Sequence, residues 1–193
     1  VFLLEYIIPM KKTFNKLFSF IWEAAKIVIV AALIVVPIRY YVFQPFLVSG
    51  GAMKPSFRDG DYLIVDEITY RIRKPERGEV VVFEYPENPN QRFIKRIVAL
   101  PGETVEIKNG EIVIYGERGS MILNEKEYIS SLKTMGELKT ELRKDEYFVL
   151  GDNRSYSFDS RKFGPLKEDK IIGRVFLRAW PFASIEKFEM PDY

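Results

Sequence analysis

The 193-residue chain contains no histidine and no cysteine. Without histidine there is no Ser-His-Asp triad. Without cysteine there is no thiol nucleophile, no disulfide and no Cys/His zinc site. An all-carboxylate metal site stays open, but no cluster of carboxylates has calcium-loop spacing; no metal and no cofactor is expected. The formal net charge of +2 is too small to imply a nucleic-acid partner. Any acid–base chemistry must therefore run through a lysine or a carboxylate. Hydrophobic content of 47% and this length suit one folded domain with a small elaboration.

One lysine stands out. In the run Arg92-Phe-Ile-Lys-Arg-Ile-Val-Ala-Leu100, alternation places Phe93, Lys95, Ile97 and Ala99 on one face of a strand. An ammonium among apolar side chains is costly unless it is paired or loses its proton, and a neutral lysine amine is a general base.

The segment Ile21 to Phe43 is strongly apolar, and Ile27 to Ile38 carries no charge. Lys26 and Arg39 flank that centre and can extend towards lipid headgroups, while Trp22, Tyr40 and Tyr41 sit where interfacial aromatics lie. No Ala-x-Ala-like cleavage site follows, so a retained membrane anchor is expected rather than a cleaved leader. Lys11, Lys12, Lys16 and Lys26 outnumber Glu5 and Glu23 on its N-terminal side, which predicts a cytoplasmic N-terminus and an extracytoplasmic remainder. Val1 to Pro9 reads as an apolar lead-in, and Met10-Lys-Lys as an alternative start.

Beyond the anchor the pattern is β. Tyr62–Asp66, Glu79–Tyr85, Phe93–Leu100, Thr104–Ile107, Tyr147–Leu150 and Ile171–Trp180 are rich in β-branched and aromatic residues between turn formers. Asn109-Gly110 between two such runs predicts a tight hairpin. Gly116 to Asp145 is polar and less patterned, as an insertion or cap would be. Phe46, Phe57 and Trp180 read as core or membrane-contacting aromatics.

Three segments are too rich in Gly, Pro and polar residues to be plain strands: Ser49-Gly-Gly-Ala-Met-Lys-Pro-Ser-Phe57, the Lys95 run through Pro101, and Gly151-Asp-Asn-Arg-Ser-Tyr-Ser-Phe-Asp-Ser-Arg161. Together they resemble type I signal peptidases, the membrane-bound Ser/Lys endopeptidases that remove signal peptides from exported preproteins. Gly50 to Phe57, followed by Gly60-Asp61, matches the family's small-x-Ser-Met-x-Pro-Thr/Ser-Leu pattern. Arg77-Gly-Glu-Val-Val-Val-Phe83 resembles its Arg-Gly-Asp strand, Ile94 to Glu103 its lysine box, and Gly151-Asp-Asn-Arg with Ser157-x-Asp-Ser-Arg161 its last box. Gly173 to Phe182 fits the closing strand.

The family's nucleophilic serine falls at Ala52. The resemblance therefore implies an inactive copy, either by a Ser→Ala change or as a natural pseudoenzyme that binds exported peptides. Ser49 and Ser56 are out of register to replace it. It further implies Lys95 as general base, with Ser157 hydrogen-bonding and aiming the amine; Asp159 and Arg161, two residues apart, are expected to pair with nearby charges and hold the loop. The Ala52 amide is the implied oxyanion donor; the hydroxyl that some members add two positions earlier is absent at Gly50. Val48, Met53, Phe93 and Ile94 match positions lining shallow substrate pockets. The implied partners are preprotein signal peptides with small residues at −1 and −3, and membrane lipids. A self-cleaving Ser/Lys repressor-type protease is the competing enzyme class, but that class has no anchor.

The expected fold is mainly β, with an N-terminal transmembrane helix preceding an antiparallel β-sheet catalytic domain that carries a β-rich cap insertion. Residues 1–18 are expected to be cytoplasmic, 19–43 the single-pass anchor in a bacterial cell membrane, and 44–193 the extracytoplasmic domain, with its insertion at about 106–145.

Overall fold

The computed structural model describes residues 2–41, 43–117, 119–129, 133–188, 190–191 and 193, with side chains from residue 16 onward except 17 and 37–43. It falls into two units, residues 1–42 and 43–193. The first is a single helix, α1 (Phe2–Tyr41). Within it Phe18–Val36 is long and apolar enough to cross a membrane. Its 19 residues span about 28 Å at 1.5 Å per residue, close to the thickness of a bilayer's hydrocarbon core. Phe20, Trp22, Ile27, Val28 and Leu33 are all exposed, the arrangement a lipid solvent favours and water does not.

Strand β1 (Phe43–Leu47) opens the second unit, so the expected anchor of 19–43 overruns the helix. Pro45 explains the change: it disfavours helix in the residue before it and lacks an amide for an inner ladder. An edge strand tolerates it, and β1 pairs only with β2 (Tyr62–Asp66), Pro45 opposite Ile64. A short helix, α2 (Thr69–Ile72), leads to β3 (Val80–Tyr85) and the long β4 (Asn88–Ala99).

A second sheet follows, built from β5 (Thr104–Lys108), β6 (Glu111–Gly116), β7 (Gly119–Ile122) and β8 (Leu138–Glu141) in the order β7-β6-β5-β8. The Asn109-Gly110 turn joins β5 to β6 with positive φ at both residues, 54° and 88°, as a two-residue type I′ hairpin requires. β7 and β8 lie in the stretch expected to be a less patterned cap. They are short and exposed on one face, which is why their period is hard to see.

The chain then returns to the first sheet through β9 (Glu146–Leu150), α3 (Ser160–Phe163), β10 (Leu166–Lys167), β11 (Ile171–Trp180) and β12 (Glu186–Lys187). The strand order is β1-β2-β11-β3-β4-β9-β10, with β12 on β11, and every pairing is antiparallel. Both faces of this sheet are covered. Val80 and Val82 join Met53, Phe57, Leu63 and Ile94 on one side. Val81 and Phe83 join Ile97, Tyr147 and Val149 on the other. That two-sided burial accounts for the uninterrupted apolar run in β3.

Strand β4 departs from simple alternation. Ile97 and Ala99 oppose consecutive residues of β9, Val149 and Phe148, so Val98 is a β-bulge. Phe93 and Ile97 share one core, whereas Ala99 is shifted into the core beneath the second sheet with Val105, Ile114 and Phe148. The expected grouping of Ala99 with Lys95 therefore fails, because one extra residue resets the face.

Candidate active site

The loop after β1 and the middle of β4 enclose a small pocket of about 70 Å³. Phe46, Val48, Ser49, Gly50, Ala52 and Met53 line it from one side, and Arg92, Phe93, Ile94 and Lys95 from the other. The expected nucleophile position, base position and four substrate-lining positions thus lie on a single cavity. Its shape comes from the local sequence. Gly50 adopts φ 88°, a conformation that glycine accepts without strain, and donates its amide to Asp59 at 2.7 Å. The Met53 and Phe57 side chains anchor the other end of the loop in the core.

Lys95 is 4% exposed. Its Nζ donates to the Ile94 carbonyl at 2.8 Å and lies 5.4 Å from the centre of the Phe93 ring. No carboxylate of the described residues forms an ion pair with it. Burial lowers its pKa from 10.5 to about 8, against an opposing pull from Asp159 and Asp152. An amine in that range has a neutral fraction of roughly a tenth to a fifth near physiological pH, against less than about a hundredth for an ordinary lysine.

The segment after β9 closes the site from behind. The Asn153 amide donates to the Ala52 carbonyl at 3.0 Å, and the Asn153 side chain donates to the Gly51 carbonyl at 3.0 Å. Gly151 is required by space. A Cβ there would lie 2.2 Å from Ser157 Oγ and 2.6 Å from the Ala52 carbonyl oxygen. No side chain fits between those two atoms. Ser157 Oγ is buried, and its hydroxyl helps to hold the Asp159 pKa down.

Asp159 and Arg161 pair with each other, Nη2–Oδ2 at 2.8 Å and Nε–Oδ1 at 2.8 Å. Burial alone would raise the Asp159 pKa, but the guanidinium holds it below its usual value. Asp159 also accepts the Gly151 amide at 3.1 Å and caps α3, while Arg161 donates to the Arg154 carbonyl at 2.7 Å. The pair therefore fixes both ends of the loop that carries Ser157.

Two further ion pairs escaped sequence reasoning. Arg96 forks onto Asp152, which also accepts from Ser56 Oγ at 2.6 Å, and the guanidinium stacks 4.0 Å above the Tyr128 ring. Ser56 thus spends its hydroxyl on Asp152. Arg154 forks onto Glu125, donates to Thr134, and contacts the Gly151 carbonyl at 3.0 Å. Asp152 and Arg154 were visible as charges directly behind an apolar strand, a pattern that signals buried pairing. Glu125 carried no such signal, because only tertiary structure brings residue 125 beside residue 154. Phe46 and Arg92 are also on the pocket, Phe57 is fully buried, and Trp180 is exposed.

A family model described as signal peptidase, peptidase S26, matches residues 21–180. The chain belongs to the signal peptidase family. The match runs from within α1 to the last residue of β11, so all three segments of the site lie inside it. Among similar relatives, the probable signal peptidase I-2 of Synechocystis sp. is 34% identical over 164 residues, covering 82% of this chain and 73% of that one. Signal peptidase IB of Staphylococcus aureus strain Mu50 is 33% identical over 176 residues, covering 84% of this chain and 91% of that one. A crystal structure of a signal peptidase I from Enterococcus faecalis V583 aligns with 33% identity and a TM-score of 0.45, covering 53% of this chain and 97% of that one. With its N-terminal apolar helix, this member of the family has the makings of a membrane-anchored protein.

Proposed function

We propose that this chain is a signal peptidase of the Ser/Lys type whose nucleophile position holds Ala52, so that it binds the signal peptides of exported preproteins without cutting them. The observation that carries this reading is the shared pocket: a buried lysine with a lowered pKa and Ala52 line the same small cavity.

With serine at 52, the chemistry would run as follows. The neutral Lys95 amine takes the hydroxyl proton as the oxygen attacks the scissile carbonyl carbon. The developing oxyanion accepts from the amide of residue 52. Lysine then returns the proton to the leaving amine as the peptide C–N bond breaks, and the acyl-enzyme is hydrolysed by water with Lys95 again the base. Ser157, buried beside residue 52, aims the amine; Asp159 and Arg161 hold its loop. Ala52 has no side-chain oxygen to begin this sequence. A natural pseudoenzyme would behave identically, and the codon at position 52 in the source gene separates the two origins.

Specificity follows from volume. The small pocket, about 70 Å³ and lined in part by Val48, Met53, Phe93 and Ile94, suits a methyl group better than a bulky or β-branched side chain. Titrating Ala-x-Ala and Val-x-Val signal-peptide segments into the detergent-solubilised chain should give binding to the first, tenfold or more weaker binding to the second (about 1–3 kcal/mol for misfit side chains), and no cleavage. Ile94→Ala should blunt the discrimination, whereas trimming the exposed Lys133 should leave it. Equal affinities, or cleavage by the Ala52 form, would mean that the pocket or the nucleophile has been misplaced.

The proposed location is a bacterial cell membrane, spanned once, with the N-terminus cytoplasmic and the domain from residue 43 outside. The lysine excess before the apolar stretch motivates that orientation. Protease added to intact spheroplasts should digest the β-domain while a cytoplasmic marker survives. Protection of the domain, with an outward-facing control digested, would reverse the orientation.

A further inference from the structure

The candidate site contains a charge for which the proposed chemistry has no use. Arg92 lines the pocket beside Phe93 on β4, and its side chain is exposed. Its recorded hydrogen bond is a long one, Nη1 to Gln44 Oε1 at 3.4 Å. Other arginines of this domain hold carboxylates: Arg96 holds Asp152, Arg154 Glu125, Arg161 Asp159, Arg174 Asp66 and Arg178 Asp61. Arg92 has no ion pair within 4 Å among the described residues. Glu84, its cross-strand partner, is bridged to Lys170, and Glu67, which feels the charge of Arg92, lies beyond ion-pair distance. No acidic side chain lines the pocket. The result is a guanidinium without an ion pair among the described residues, at the edge of an apolar groove that Lys95 also lines.

We propose that Arg92 is a specificity-determining residue that reads the charge of the bound peptide near position −4, favouring an acidic side chain there and disfavouring lysine or arginine. The inference rests on the reading of the pocket as the signal-peptide site. The position follows from strand geometry. Arg92 is three residues from Lys95, about 10 Å at 3.3 Å per residue, and an extended peptide beside β4 covers that distance in three residues from −1. A planar, permanently charged fork suits a carboxylate, and a like charge facing it would be repelled. The site is open to solvent, so each effect has the size of an exposed ion pair, roughly two- to fivefold in affinity.

The test uses the detergent-solubilised full chain and Ala-x-Ala peptides bearing Glu, Gln or Lys at −4, with the same residues at −8 or +4 as controls. Affinity at low salt should fall in the order Glu, Gln, Lys, spanning roughly 4- to 25-fold between the extremes. The spread should collapse near 1 M salt, where screening acts over about 3 Å. Arg92→Gln should flatten the order and Arg92→Glu should invert it. Equal affinities for Glu and Lys at −4, with Ala-x-Ala still preferred to Val-x-Val, would overturn this inference and leave the site reading standing. A charge preference that survives Arg92→Glu, or that appears only at +4, would also overturn it. Loss of the preference for Ala-x-Ala in the parent chain would instead remove the site reading itself.

Discussion

Replacing Ala52 by serine is expected to convert a binder of signal peptides into an endopeptidase that cuts after a small residue. The gain should be at least ~10⁴-fold in turnover, since hydrolases lose up to roughly a millionfold when the nucleophile is deleted. The reason for so large an effect from one oxygen is that the remaining parts stand in place. Lys95 is buried, carries a lowered pKa and lines the pocket beside residue 52. The carbonyl of residue 52 is held by Asn153, which fixes the backbone from which the hydroxyl would project. Ala52 is half-buried, so a hydroxyl should shift stability by less than about 1 kcal/mol. The measurement is single-turnover cleavage of a preprotein in detergent, with mass spectrometry to place the cut. An Ala52→Ser protein that folds, binds Ala-x-Ala peptides and still does not cleave would exclude the Ser/Lys assignment.

Lys95→Met, made in the Ala52→Ser background, is expected to abolish cleavage while making the fold more stable. The two effects share one cause. Burial lowers the pKa in the folded state to about 8, against 10.5 in the unfolded chain. The folded state therefore binds fewer protons than the unfolded state between those values. Below pH 8 both states are protonated, and the folded one carries the full cost of a buried ammonium, roughly 3 kcal/mol. That cost is relieved as pH rises from about 8 to about 10.5. Methionine, of similar length and without charge, removes it at every pH. Denaturant titrations should thus show Lys95→Met more stable at pH 7 by about 1–3 kcal/mol, with the gap closing towards pH 10.5.

The kinetics should carry the same signature. For the Ala52→Ser form, kcat/KM should rise with pH through about 8 and then level, as expected of a base that must be neutral to act. A purely structural lysine would give the opposite stability result and no such limb. Cleavage by the Lys95→Met double variant at anything near the Ala52→Ser rate would dismiss lysine as the base. A reagent directed at histidine should have no effect on either form, because the chain has none.

Much of the site was legible in the residues because its chemistry is local in sequence. The missing histidine pointed to a lysine, and the apolar neighbours of Lys95 pointed to its burial. The Asn109-Gly110 turn was readable because positive φ at two successive positions is a property of those residue types. The apolar stretch of α1 was readable because its length is compared with a bilayer and not with the rest of the protein. The start of β1 at Phe43 was recoverable in principle from Pro45, but apolar content extended the anchor past it.

What tertiary structure alone decided are matters of contact between distant segments. The bulge at Val98 moves Ala99 away from the face of Lys95, and nothing within β4 announces it. Glu125 reaches Arg154 only because the connection from β7 to β8 packs against the segment after β9. Ser157, Gly151 and the Ala52 carbonyl share one point of space, which makes a side chain at 151 impossible. Arg92 reads in the sequence as one more surface cation. It becomes a candidate reader of substrate charge because β1 brings Phe46 and Gln44 to its side, while no carboxylate of the described residues comes within ion-pair distance of it or lines the pocket. Periodicity and residue type determine which side chains are buried and which chemistry is available; the pairing of strands determines which of them meet, since a hydrogen bond or an ion pair depends on positions within an ångström and sequence distance carries no such information.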